Sequence, residues 1–406
     1  MMKNLIKIIL SSLILVPLIR DATVFFPDSA GKIFFARAVI FLASLVFLAS
    51  FMFLKKFRQE VVYRASILLK HPLVLSLLVF IFVFGLSTFF AVETYTAFWG
   101  DVQRGEGLVG IIFFFTCFVL SALIFDKKDW LWFLKLSLVI TFILLCKQFF
   151  DFFGGVERPG SFVGSPTFLA GYLLFSMFSS MIIFGTEENK FWKYFSIVIF
   201  LFSIPAIFIT ETRGAILGLF LSLIGVLVLF TIKGEGMFYK NFSLRKISIT
   251  LLCLVGVFLI ILLGTKNSEF WQRVPGLARV ATIGSEDIST RTRLFSIKSS
   301  LESVNPKQEG FKKLAIGWGP NNYILAFGKY YNLEQYKYEV EWFDRAHNKF
   351  LDVLVMNGVL GLLAYLSVWF FYFKYVFRRN DLSIITVGFL LYGISFFTHL
   401  FFVFDN

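Results

Sequence analysis

Residues 215–232 read Ala215-Ile-Leu-Gly-Leu-Phe-Leu-Ser-Leu-Ile-Gly-Val-Leu-Val-Leu-Phe-Thr-Ile232, eighteen positions without a charge. An uncharged apolar run of this length crosses a bilayer as one α-helix, because it is long enough for the hydrocarbon core and satisfies its own backbone there. The run is not isolated. Of the 406 residues, 58% are hydrophobic, 16% are charged and 57 are Phe. Soluble domains hold about 45–50% apolar and about 25% charged residues. The composition excludes a soluble globular protein, a disordered chain and a disulfide scaffold. It also excludes an outer-membrane barrel, whose strands alternate apolar and polar residues. The expectation is an all-α polytopic membrane helical bundle.

Eleven spans are expected, near residues 4–19, 33–54, 72–91, 108–125, 130–150, 167–185, 194–209, 215–232, 247–264, 349–373 and 382–404. With the N-terminus in the cytoplasm, the inner loops hold eighteen Lys and Arg. The short outer loops hold five: Arg20, Lys32, Arg104, Arg158 and Arg213. This bias orients the protein and explains the net charge of +13 without nucleic acid. Cys117, Cys146 and Cys253 lie in apolar runs with no CxxC and no Cys/His cluster, so neither a disulfide framework nor a zinc site is expected.

Residues 1–406 are read as a single integral membrane domain, interrupted by a large extracytoplasmic loop at 265–346. Loops of this length are usually functional. Within the loop, 290–304 reads as a helix. Ser289 or Thr290 would cap it, Leu294, Ile297 and Leu301 would form its apolar stripe, and Asn305-Pro306 would end it. Gly317-Trp318-Gly319-Pro320 reads as a turn, and 321–338 as a helix lying on the membrane surface. The last span stops at Phe404-Asp405-Asn406 with no polar tail, which suggests a twelfth helix in a longer protein.

Ionisable residues at the ends of spans are candidates for function. Four groups stand out on the outer face: Arg158 in Glu157-Arg-Pro-Gly-Ser-Phe-Val-Gly-Ser-Pro166; Arg213 in Thr210-Glu-Thr-Arg-Gly-Ala215; Arg291 and Arg293 in the external helix; and Asp344-Arg-Ala-His347-Asn348. Each has a blander reading. Arg158 could snorkel to lipid phosphates, Glu211 and Arg213 could merely neutralise each other, Arg291 and Arg293 could be a solvated basic face, and a lone His beside charges is weak evidence. The functional reading takes Gly214 and Ala215 as allowing close approach of a phosphate to Arg213. It takes Arg291 and Arg293 as opposing the helix dipole until an anion binds, and His347 as a general base. His71 and His399 read as interfacial or packing residues. Together, arginines able to hold a pyrophosphate and a base able to activate a hydroxyl suit transfer of a group from a lipid diphosphate.

The order of these segments resembles the O-antigen ligase and polymerase family. Arg158-Pro-Gly-Ser-Phe-Val-Gly-Ser-Pro-Thr resembles the family's R…G…NP loop, with Ser165 in place of Asn. Thr212-Arg213-Gly214-Ala215 resembles its S/T-R-G-A hairpin. Arg293 followed by Gly317-Trp318-Gly319 resembles R…W…P-x-x-G-x-G, with Ile297 where Trp is usual; either Arg291 or Arg293 is the counterpart, and spacing favours Arg293. His347-Asn348 and then Gly358-Val-Leu-Gly361 resembles H-N-x9-G-x-x-G.

The resemblance implies a glycosyltransferase-C-like fold in a bacterial cytoplasmic membrane. It implies transfer of a glycan from an undecaprenyl-diphosphate-linked donor to an acceptor glycan or glycolipid at the outer face, with no metal and no cofactor. By carry-over, Arg213 and Arg293 hold the diphosphate, His347 activates the acceptor and Arg158 lines the cavity. Asn348 and Asp344 orient neighbours, and Gly358 and Gly361 permit close helix packing. A lipid-linked oligosaccharide flippase or transporter would share the spans. The gathering of cations at one face, rather than at the midplane, favours the enzyme.

Overall fold

A computed structural model describes residues 2–234, 238–239, 242–265, 268–272, 276, 288–340, 342–379 and 381–403. The expected Phe404-Asp405-Asn406 ending lies outside them. Among the described residues, eight helices are long and apolar enough to cross a membrane: Ala30–Phe53, Pro72–Phe89, Lys127–Phe153, Pro166–Thr186, Lys190–Ile209, Arg213–Lys233, Leu244–Leu262 and Lys349–Arg378. Leu108–Ile124 and Ile384–His399 are shorter apolar helices. The first expected span is an α-helix, Met2–Ser11, that tightens into a 3-10 helix, Ser12–Leu18, around Pro17. The chain is therefore an all-α polytopic membrane protein. Among the described residues the only strands are Phe238–Tyr239 and Phe242–Ser243, paired antiparallel.

The fold divides into two compact units. The first comprises Met1–Ile140 and Arg291–Tyr375. It contains a helix that hydropathy did not reveal, Lys55–Leu68. Phe57 and Val61, one turn apart, pack with Ile6, Leu10, Leu120 and Ile124. Lys3–Glu60 (2.7 Å), Lys7–Asp129 (2.7 Å) and Arg64–Asp126 (2.6 Å) pin the same elements together. Its second core gathers Trp318, Tyr323, Phe327, Phe343, Ala346, Val355 and Met356. The 30-residue Lys349–Arg378 helix breaks at Gly358, whose φ of 67° is left-handed. A side chain there would run into the backbone of Ala315 and Ile316. The break releases the Val355 and Met356 carbonyls, which accept from the amides of Trp318 and Gly319 at 2.9 Å each. The Gly-Trp-Gly turn and the His-Asn-x9-Gly segment are thus one packed structure.

The second unit comprises Thr141–Thr290 and Val376–Asp405. Without a hydrophobic drive between helices in lipid, small residues let backbones approach. A side chain at Gly218 would meet the Ser395 carbonyl, one at Gly225 would meet Ile394, and one at Gly388 would meet Ile182. These contacts dock Ile384–His399 on Arg213–Lys233 and Pro166–Thr186. His399 is buried here, beside Gly171 and Phe396, in a packing role. His71 caps Pro72–Phe89 by accepting from the Leu73 amide.

The long-loop expectation changes in detail. The external helix is described as Ile288–Glu302, so Ser289 and Thr290 lie inside it rather than capping it. Leu294 and Leu301 are exposed, and the buried face is instead Thr292, Ser296, Ser299, Ser300 and Ser303. Serine hydroxyls meet partners there: Ser296 and Ser300 bond the Tyr323 hydroxyl at 2.8 and 3.0 Å. Residues 321–338 do not form one surface helix. They fold as Tyr323–Lys329 and a 3-10 turn, Leu333–Lys337, because Tyr323, Ala326 and Phe327 are drawn into the core.

Candidate functional site

Four described residues other than glycine have a left-handed backbone: Ser161 (φ 52°), Glu211 (φ 51°), Asn321 (φ 59°) and His347 (φ 53°). Such conformations cost about 1–3 kcal/mol each and persist only where the surroundings over-determine them. All four fall in or directly after the segments singled out in the sequence. Three share one plan, a left-handed residue followed by a capping position and a helix: Glu211-Thr212-Arg213, Asn321-Asn322-Tyr323 and His347-Asn348-Lys349. Gly164 (φ 91°), Ser165 and Pro166 repeat the plan with glycine.

Around His347 the restraints are explicit. The Asn348 side chain accepts from the Phe350 and Leu351 amides at 3.0 and 3.2 Å, so it caps the following helix. On the other side, the Ala346 amide donates to Asp352 Oδ1 at 2.7 Å. Arg345, 2% exposed, donates to Glu106 Oε2 at 2.7 Å, to Asn321 Oδ1 at 2.8 Å and to the Asp344 carbonyl at 3.0 Å. Burial works against the Arg345 charge, but Glu106, Asp352 and Asp344 together more than offset it and keep the guanidinium firmly protonated. Arg345 is a staple, spent on internal partners. Asp344 pairs with Arg104.

The His347 ring stands edge-on to Phe343, centroids 5.1 Å apart. Burial first, and then the charge of Arg293, lower its pKa to about 4, against Asp344. At neutral pH the imidazole is neutral and able to accept a proton. Within this unit the structure thus brings together His347, Arg293, Asp344 and Arg104. Arg291 points elsewhere: its Nη1 donates to the Tyr338 hydroxyl at 2.7 Å, and its guanidinium lies over that ring. Two residues apart on a helix are nearly opposite, and the arginines whose charge acts on His347 are Arg293 and, more weakly, Arg104.

In the second unit, Arg158 Nε donates to the Thr210 carbonyl at 3.2 Å and lies 4.0 Å from Glu211 Oε2. The Arg158 loop and the Thr210–Arg213 hairpin are therefore neighbours. Arg213 opens its helix and is 8% exposed. Gly214 serves packing rather than phosphate approach, since a side chain there would strike Phe402 and the His399 carbonyl.

Sequence reasoning used residues 101–106, Asp-Val-Gln-Arg-Gly-Glu, only for charge counting. Yet Arg104 and Glu106 hold Asp344 and Arg345, and Arg37 Nη2 grips the Gly105 carbonyl at 2.7 Å. Three charges in six residues between apolar helices were the available signal. Asp352 and Asn321 carried none.

Comparison with known families and proteins gives one clear result. No curated protein matches the chain. Residues 198–366 match the family described as O-antigen ligase. That span contains the Arg213 hairpin, Arg293, the Gly-Trp-Gly turn and the His347 segment. Through residues 198–366 the chain is similar to the O-antigen ligase family.

Proposed function

We propose that this protein transfers a glycan from undecaprenyl diphosphate to an acceptor sugar hydroxyl at the outer face of a bacterial cytoplasmic membrane, with its N-terminus in the cytoplasm. The similarity of residues 198–366 to the O-antigen ligase family supports glycan transfer of that type. The observation that carries the finer reading is His347: a neutral imidazole on a restrained left-handed turn, with Arg293 acting on it.

In the proposed step the acceptor hydroxyl gives its proton to His347. The acceptor oxygen forms the new bond to the donor's anomeric carbon, and that carbon's bond to the diphosphate oxygen breaks. Undecaprenyl diphosphate leaves with the electron pair. Arg293 stabilises the charge that develops on it; Arg213, to which the resemblance gives a diphosphate-holding role, is tested by substitution below, with Arg158 supporting the Thr210–Arg213 hairpin. Asn348 and Asp344 set the His347 segment and its field. A base with a pKa near 4 is always available but weak. A bound diphosphate would offset the Arg293 charge and strengthen the base when the donor is present. Arginines supply the positive charge, so the reaction requires no metal.

The test uses the full chain in membranes, with undecaprenyl-diphosphate-linked oligosaccharide, candidate acceptors and EDTA. Wild type should form product. His347→Ala and Arg213→Ala should insert normally and lose activity by about 10²–10⁴-fold, the range for losing a general base or a charge-stabilising donor. Undiminished product in both variants would sink these roles. Donor crossing the bilayer of liposomes without product would identify a flippase.

A further inference from the structure

An aromatic chain runs outward from His347. Its ring meets Phe343 at 5.1 Å, Phe343 meets Phe327 at 5.5 Å, and Phe327 meets Trp342 at 6.0 Å. Phe327 and Phe343 are buried, but the Trp342 side of the chain opens to the surface, with Trp342 itself 52% exposed. The indole is not loose. Tyr331 stacks on it at 4.9 Å with 12° between the planes. Phe327 abuts it edge-on at 86°. Gly328 forms its bed, since a Cβ there would come within 2.9 Å of Trp342 Cζ2. The Tyr323–Lys329 helix that carries Phe327 and Gly328 is itself anchored by the Tyr323 hydroxyl on Ser296 and Ser300.

A large aromatic held on several sides with substantial area left open is a preorganised binding platform, because little side-chain freedom remains to be lost on binding. The chemistry it suits is a ring with an apolar face and a polar rim. Sugars are such rings: axial C–H groups pack on the indole while the hydroxyls stay in water. We propose that the exposed face of Trp342, backed by Tyr331 and seated on Gly328, is a sugar-stacking subsite for the acceptor glycan, a few sugar residues from His347. The assignment to the acceptor rests on the glycan-transfer reading above. A headgroup-level Trp of the membrane interface needs neither a stacked tyrosine beneath it nor a glycine bed. It also needs no rigid connection to the base.

Two measurements test the subsite, each with the full chain in detergent or membranes. The first is binding to an array of hexose and N-acetylhexosamine oligosaccharides. Wild type and His347→Ala should bind the same glycans, and Trp342→Ala should bind about tenfold more weakly, the magnitude of one lost aromatic contact. Trp342→Phe, which keeps a ring on Tyr331, should recover part of the loss and controls for folding. The second is turnover: Trp342→Ala should raise the acceptor KM by about tenfold, leaving kcat and the donor KM near wild type.

Absence of glycan binding by wild type, or equal binding by Trp342→Ala, overturns the subsite. So does a Trp342→Ala defect confined to membrane insertion, which would assign the residue to the lipid interface. Trp342-dependent glycan binding without any transfer product would leave the subsite standing and remove the proposed reaction instead. Product formation with an unchanged acceptor KM in Trp342→Ala would do the reverse.

Discussion

His347 and Glu211 occupy the same place in two helix entrances, each left-handed and two residues ahead of a helix. The two entrances are secured by different means. At 344–348 the backbone is fixed by side-chain polar groups: Asp352 on Ala346, Asn348 on the next turn, Arg345 on Glu106 and Asn321. At 210–214 the helix is seated by what is missing, since Gly214 and Gly218 let the Ile384–His399 helix and the residues after it come close. The polar entrance holds charge at defined places and sets the protonation of its histidine. The glycine entrance brings a nearly buried arginine to the head of a membrane helix through packing that lipid does not weaken.

The contrast can be broken from either side. The largest effect on stability is expected at the polar entrance. Glu106→Leu leaves the Arg345 guanidinium buried without its main partner and should destabilise the first unit by about 3 kcal/mol. The thermal transition in detergent would report this, and an unchanged midpoint would mean that Asn321, the Asp344 carbonyl and Asp101, 3.9 Å away, suffice to hold Arg345. At the glycine entrance, Gly218→Ala should cost about 1–3 kcal/mol by overpacking against Ser395. If that variant is as stable as wild type, the helix seating described here is wrong.

The smallest effect sharpens the role of His347. Its folded pKa, near 4, lies below its ordinary value near 6.5. The unfolded chain therefore takes up a proton that the folded chain refuses, and stability falls as pH drops from about 6.5 towards 4. By pH 6 the loss is about 1 kcal/mol, and His347→Gln should remove it. In kinetics, the acid limb of kcat/KM should sit well below pH 6.5. The limb of kcat should lie higher, because bound diphosphate offsets Arg293. Identical limbs near pH 6.5 would show that the histidine is neither buried nor facing Arg293 during turnover.

Most of the helical layout was legible because the bilayer allows few choices. Each of the eleven expected spans has a helix at its place, from Ala30–Phe53 for 33–54 to Lys349–Arg378 for 349–373. The Lys55–Leu68 helix was not legible, because its apolar face is only a few residues wide and is masked by five Lys and Arg between positions 55 and 70. The external helix was placed within two residues, but its inward face was misassigned. Hydropathy ranks Leu294 and Leu301 above serine, whereas the hydroxyls of Ser296 and Ser300 find a buried partner in Tyr323.

Composition and local pattern by themselves determined that this chain is a helical membrane protein and which segments carry Arg158, Arg213, Arg293 and His347. These follow from charge, apolar length and short motifs, all properties of neighbouring residues. Only the tertiary structure decided that Arg293 and not Arg291 acts on His347, that Arg345 is a staple, and that residues 101–106 clamp the histidine segment. Those outcomes depend on groups as far apart as Glu106 and Arg345, brought together by folding. A side chain's charge is written in the sequence, but its partner, and hence whether that charge is available for chemistry, is set by packing.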